Sequence, residues 1–150
     1  MTWQELLAAN RVEKHKTSRQ ELDDLRKAVN RNLHDADLPG LSADNKFGLA
    51  YEAGLLLAKM AVACAGYRVK GQGAQQATFA SLKLAIGDPI VEMASYLDRC
   101  RRKRNEISYD TAGLASDTEA EELLAKLKEF RNTIEAWIAD NHAEFAKKKK

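Results

Sequence analysis

Aromatic residues are scarce, at 7% of the chain, and Val, Ile, Thr and Tyr nowhere gather into alternating runs, so β-strands are not expected. Cysteine occurs only twice, at Cys64 and Cys100, in separate helical patterns without metal-ligand spacing. That usage predicts two buried, reduced thiols rather than a disulfide or a metal site. The three histidines, His15, His34 and His142, form no i, i+4 pair and no zinc-type pattern. Each is read as an exposed helix or loop residue, and no metal is expected. Neither sign of charge dominates. The formal net charge is +2, so nucleic-acid binding would have to rest on local clustering. No apolar run is read as membrane-spanning, and no basic-then-apolar signal pattern opens the chain. Those absences predict a cytoplasmic protein with no membrane partner. A nucleophile elbow and a phosphate-binding loop are also missing. Gly71-Gln72-Gly73 follows no predicted strand and has Gln76 where a dinucleotide fingerprint needs its third glycine, so no cofactor is expected.

What the chain does contain is helical periodicity. Its 150 residues are enough for one domain burying roughly 70% of the unfolded surface. Thr2-Trp3-Gln4-Glu5 fits a capping box for a short helix to about Asn10, with Trp3, Leu6 and Leu7 leaning on the rest. Thr17 and Ser18 offer the next cap. Leu22, Leu25, Ala28, Val29 and Leu33 follow at helical spacing, with Asp23, Asp24, Arg26 and Lys27 assigned to a solvated face. After the stop at Asp37-Leu38-Pro39-Gly40, Ser42 caps a helix apolar on most sides, from Phe47 to Ala65, with Gly66 as its terminator. Ala50, Ala53, Gly54, Ala58 and Ala61 would admit a neighbouring helix closely. Tyr67 to Gly73 reads as a loop, and Thr78, Phe79, Leu82, Leu84 and Ile86 mark a short helix ended by Gly87. Asp88-Pro89 predicts the next start, with a capping carboxylate and a proline in the first turn. Ser116-Asp117-Thr118-Glu119 caps a last helix traced by Leu123, Leu124, Leu127, Phe130, Ile134, Trp137, Ile138 and Phe145. The fold class is therefore all-α: a single-domain bundle of five or six helices over 1–146, with a solubilising lysine tail at 147–150.

One stretch departs from ordinary helix patterning. Arg99, Arg101, Arg102, Lys103 and Arg104 place five cations in six positions near a helix end. The apolar arc of that helix comprises Ile90, Met93, Ala94, Leu97, Cys100 and Ile107. At about 100° per residue, Arg101 and Arg104 fall about 20° and about 40° either side of Ile90, while Arg99 and Lys103 face water. An arginine on a core face requires a carboxylate, a carbonyl or a bound anion. Three readings follow. Structurally, cations complement the helix C-terminus and Asp98 pairs with Arg101 or Arg102. As a binding site, Arg101 and Arg104 grip phosphate or carboxylate, with Asn105 and Tyr109 completing the contacts. As a catalytic site the segment lacks a group titrating near neutrality, since a phenol ordinarily titrates near about 10 and an aspartate such as Asp110 near about 4.

Four stretches together resemble the HEPN superfamily (higher eukaryotes and prokaryotes nucleotide-binding domains). They are Leu33-His34-Asp35-Ala36, the run from Lys46 to Ala53, Ala65-Gly66-Tyr67-Arg68, and Arg102-Lys103-Arg104-Asn105 through Tyr109-Asp110. With the helix order they cover roughly Trp3 to Trp137. The resemblance implies a helical bundle that forms a homodimer. It also implies either a ribonuclease toxin acting through an Arg-x-x-x-x-His motif or a partner of a minimal nucleotidyltransferase. Arg104 and Asn105 match the start of that motif, but the histidine position is Tyr109. One branch is similar in its Arg-Asn…Tyr-Asp ending and carries paired histidines after the glycine loop, which here are Gln75 and Gln76. The resemblance therefore implies no catalytic residue. It implies a toxin–antitoxin or nucleotidyltransferase-associated protein that binds a nucleotide, RNA or a partner protein through Arg101, Arg104, Asn105, Tyr109 and Asp110. The alternatives are a ribonuclease toxin with a divergent site and a purely structural interaction module.

Overall fold

A computed structural model of the chain describes residues 1–71, 73–109 and 114–148, the side chains of Ser108 and Tyr109 excepted. The chain is an all-α bundle with a very small sheet attached. The helices are α1 (Trp3–Ala8), α2 (Arg19–Ala36), α3 (Ala43–Cys64), α4 (Ala74–Ile86), α5 (Val91–Tyr109) and α6 (Asp117–Asn141). Strands β1 (Val12–Lys14) and β2 (Tyr67–Val69) pair antiparallel, Glu13 opposite Arg68. Short 3-10 turns, Asp88–Ile90 and Ala143–Phe145, precede α5 and follow α6.

Helix α3 is the axis. Fourteen of its 22 residues are buried, and α2, α4, α5 and α6 all pack on it. Two glycines set how closely the neighbours approach. A Cβ on Gly54 would stand 3.0 Å from Leu127 Cδ1 and 3.1 Å from Leu97 Cδ2, so α5 and α6 close on α3 at the same level. A Cβ on Gly48 would stand 3.0 Å from Arg104 Nε, which brings the basic end of α5 onto the first turns of α3. By length and composition α3 does meet the requirement for a membrane span, contrary to the reading of the sequence. The reason is its role as core helix: 78% of its most apolar window is buried inside the bundle.

The caps form as their chemistry dictates. Thr2 with Glu5, and Ser116 with Glu119, make reciprocal capping boxes, and Ser18 and Ser42 accept from the N–H groups three residues on. Three expectations change. The segment Tyr67–Val69 is a strand rather than loop. Its partner β1 was not anticipated either, because three residues are too few to show a period of two. The strand pair is held by the Arg68–Glu13 ion pair and by Trp3 stacked on Tyr67 at 4.0 Å. Asp88 does not cap α5; the chain reverses at Gly87 (φ +93°), which puts Asp88 inside the 3-10 turn. Arg26 is not solvated. It is 8% exposed, and its guanidinium donates to Glu135 at 2.8 and 3.0 Å, to Asp23 at 2.8 Å and to the Phe145 carbonyl at 2.7 Å. Those contacts tie α2 to α6 and to the turn that follows it.

Candidate functional site

The apolar stripe of α5 runs as its periodicity requires: Ile90, Ala94, Leu97 and Cys100 are buried, and Met93 and Ile107 pack against the core. The cations divide around it. Arg99 is exposed, and Arg102, at 60%, sits 3.6 Å from Asp98. Lys103 approaches Glu119 at 3.6 Å, joining α5 to the first turn of α6. Arg101 is only 18% exposed and donates through Nε to Asp98 Oδ1 at 2.8 Å. This contact fixes the guanidinium plane and leaves its terminal NH₂ groups for another acceptor.

Arg101 and Asn105, one turn apart, line a cleft of about 290 Å³ whose opposite wall is the N-terminus of α4: Gly73, Ala74, Gln75 and Gln76. Among the described residues no side chain caps this N-terminus, and its first turn contains no carboxylate. The leading N–H groups of a helix have no partner within the helix and carry its positive dipole end. Gly73 itself has φ +73°, and a Cβ there would stand 2.8 Å from Arg11 Nη1. Left-handed backbone and a guanidinium resting on it both favour glycine at this position. A second arginine, from the segment just before β1, thus flanks the same helix end. Gln75 is held by the buried Tyr51, whose hydroxyl donates to Oε1 at 2.6 Å, leaving the amide NH₂ as donor. Burial, and next the Glu52 carboxylate, push the Tyr51 phenol well above its ordinary range, with Arg101 opposing. Tyr51 therefore remains a proton donor at any working pH.

Arg104 and Ile107 line a different cleft, of about 430 Å³, together with Asp44, Asn45, Gly48, Leu49 and Glu52. Two carboxylates share that wall, and Asp44 accepts from the Ala115 N–H at 2.9 Å. Arg101 and Arg104 thus turn inward as expected but line separate clefts, not one grip. The Tyr109 side chain and all of Asp110 lie outside the described residues. Sequence reading missed Arg11, Tyr51 and Gln75 as contributors. The usable signal was Gly71 and Gly73 after a basic run, where a chain reversal brings backbone N–H groups and Arg11 together.

Among the described residues no histidine or cysteine lines the cleft at the α4 terminus. His15 and His142 are half-buried elsewhere, and His34 is exposed on α2. Burial pushes the Cys100 thiol up to about 11, so it is an inert core group rather than a nucleophile. Among the described residues no cluster of His, Cys, Asp and Glu could hold a metal ion. Comparison with family models, curated proteins and solved structures gives no match.

Proposed function

We propose that this chain is a non-catalytic binding protein that takes the phosphate group of a nucleotide or of RNA at the N-terminus of α4. Arg101 and Asn105 lie on one side of it and Arg11 on the other. The observation that carries the reading is the convergence of two guanidiniums on a helix end that has neither a cap nor a first-turn carboxylate. Asp98 orients Arg101 without occupying its terminal NH₂ groups, and Gln75 adds a positioned amide. Arg104 and Tyr109 are supported by their helical spacing and by the HEPN resemblance, whereas Asp110, a homodimer and a nucleotidyltransferase partner enter through the resemblance alone.

The test is a calorimetric titration with pyrophosphate, a nucleoside triphosphate and a short single-stranded RNA. A charge-assisted guanidinium contact contributes about 1.5–3 kcal/mol. Arg101→Ala therefore weakens binding roughly tenfold to hundredfold, and Arg11→Ala acts in the same direction. Binding unchanged in both variants, with circular dichroism unaltered, removes the site. An affinity lost in Arg104→Ala but not in Arg101→Ala moves it to the other cleft.

A further inference from the structure

A third cleft, of about 300 Å³, opens between α2, α3 and β2, and none of its lining residues belongs to the α4 site. Leu25 comes from α2, Val62 and Ala63 from α3, and Tyr67 and Val69 from β2, so the walls are chiefly apolar. A cavity of about 150 Å³ holds benzene, so there is room here for one ring and a substituent.

The polar groups of this cleft are unequally committed. Glu21 is fully engaged. Thr17 Oγ1 donates to its Oε1 at 2.6 Å, and His15 Nε2 lies 2.8 and 3.0 Å from its two oxygens. Burial raises the Glu21 carboxyl, but the Thr17 and His15 hydrogen bonds outweigh it and hold the group below its usual range. Its charge is thus already answered by internal donors. Arg68 lines the cleft while paired to Glu13 on the neighbouring strand. Lys59 is exposed at the rim and has no ion-pair partner among the described residues. With Arg68 answered by Glu13 and Glu21 by its internal donors, Lys59 is the lining cation without an ion-pair partner among the described residues.

We propose that this cleft binds a small organic carboxylate, its apolar body against Leu25, Val62 and Val69 and its anionic end toward Lys59 and Arg68. An apolar floor with a few placed polar groups at one edge is the usual form of a small-ligand site. The single uncommitted cation selects a monoanion over a neutral or cationic ligand of the same shape.

The experiment uses the full chain and three probes that share a phenyl ring and differ in charge: benzoate, benzyl alcohol and benzylammonium. Methyl resonances of Leu25, Val62 and Val69 are followed during titration. Benzoate produces saturable shifts, benzyl alcohol binds about tenfold more weakly, and Lys59→Ala erases that difference. Lys59→Glu reverses the order in favour of benzylammonium; because Lys59 is exposed, neither substitution touches the core. The proposal is overturned by absence of saturable shifts with benzoate up to tens of millimolar. Equal affinity for benzoate and benzyl alcohol, or benzoate binding unchanged in Lys59→Ala, overturns it as well.

Discussion

Replacing Arg26 by alanine tests whether the cross-helix ion pair is a stability element or a bystander. The guanidinium side chain is 9% exposed, and its main partner Glu135 is 13% exposed, so both charges sit largely out of water. Asp23, at 36%, returns to solvent when the arginine goes, and the Phe145 carbonyl loses a donor. The principal cost falls on the Glu135 carboxylate, which is largely covered and has no other ion-pair partner among the described residues. Breaking a buried pair from one side costs about 3–5 kcal/mol, and the residual exposure of Glu135 puts this case near about 3. For a chain of this length that is a fall in Tm of roughly 6–12 °C. Urea denaturation of Arg26→Ala, Glu135→Ala and the double variant gives the loss and the coupling between the two residues, expected near about 2 kcal/mol. A single-variant loss below about 1 kcal/mol with no measurable coupling would refute the argument. Replacement of both by Met and Leu, by contrast, leaves stability nearly unchanged, because a well-packed apolar pair needs no desolvation.

Two further outcomes follow from the core and from the hydrogen bonds to Glu21. Gly54→Val destabilises more than Gly54→Ala in the same denaturation assay, because Leu127 and Leu97 already stand 3.0 and 3.1 Å from the first added carbon; equal stability of the two variants would mean α5 and α6 can withdraw. The Glu21 carboxyl is held below its ordinary value of 4.5, so its contribution is present above that pH and lost as the pH falls through the depressed folded value. Tm measured at neutral pH and at about pH 3 should therefore fall less in Glu21→Gln than in the parent chain, and an identical fall would remove the assignment.

Helices α2, α3 and α6 were legible because each couples an apolar period to a capping residue, Ser18, Ser42 and Ser116. Position along the helix also held the clue to Arg26, which stands one turn after Leu22 and three residues before Val29, squarely in the core stripe. Reading it with its charged neighbours Asp23, Asp24 and Lys27 hid that, and its partner Glu135 is 109 residues away, beyond the reach of any local pattern. The same long-range dependence limits the candidate site. The inward turn of Arg101 follows from its spacing after Leu97, whereas its separation from Arg104 depends on which neighbour each meets. Arg101 faces the start of α4, and Arg104 faces Gly48 on α3. Arg11 escaped notice because it joins the site only through the β1–β2 pairing, and three-residue strands leave no trace in the hydropathy pattern.

The turn after α6 is fastened through its main chain: Arg26 and Arg19 donate to the carbonyl oxygens of Phe145 and Glu144, at 2.7 and 3.3 Å. Main-chain oxygens are the same for every amino acid. The clasp therefore tolerates sequence drift at position 144, while a shift of one residue in the length of the preceding connection would move both acceptors out of reach.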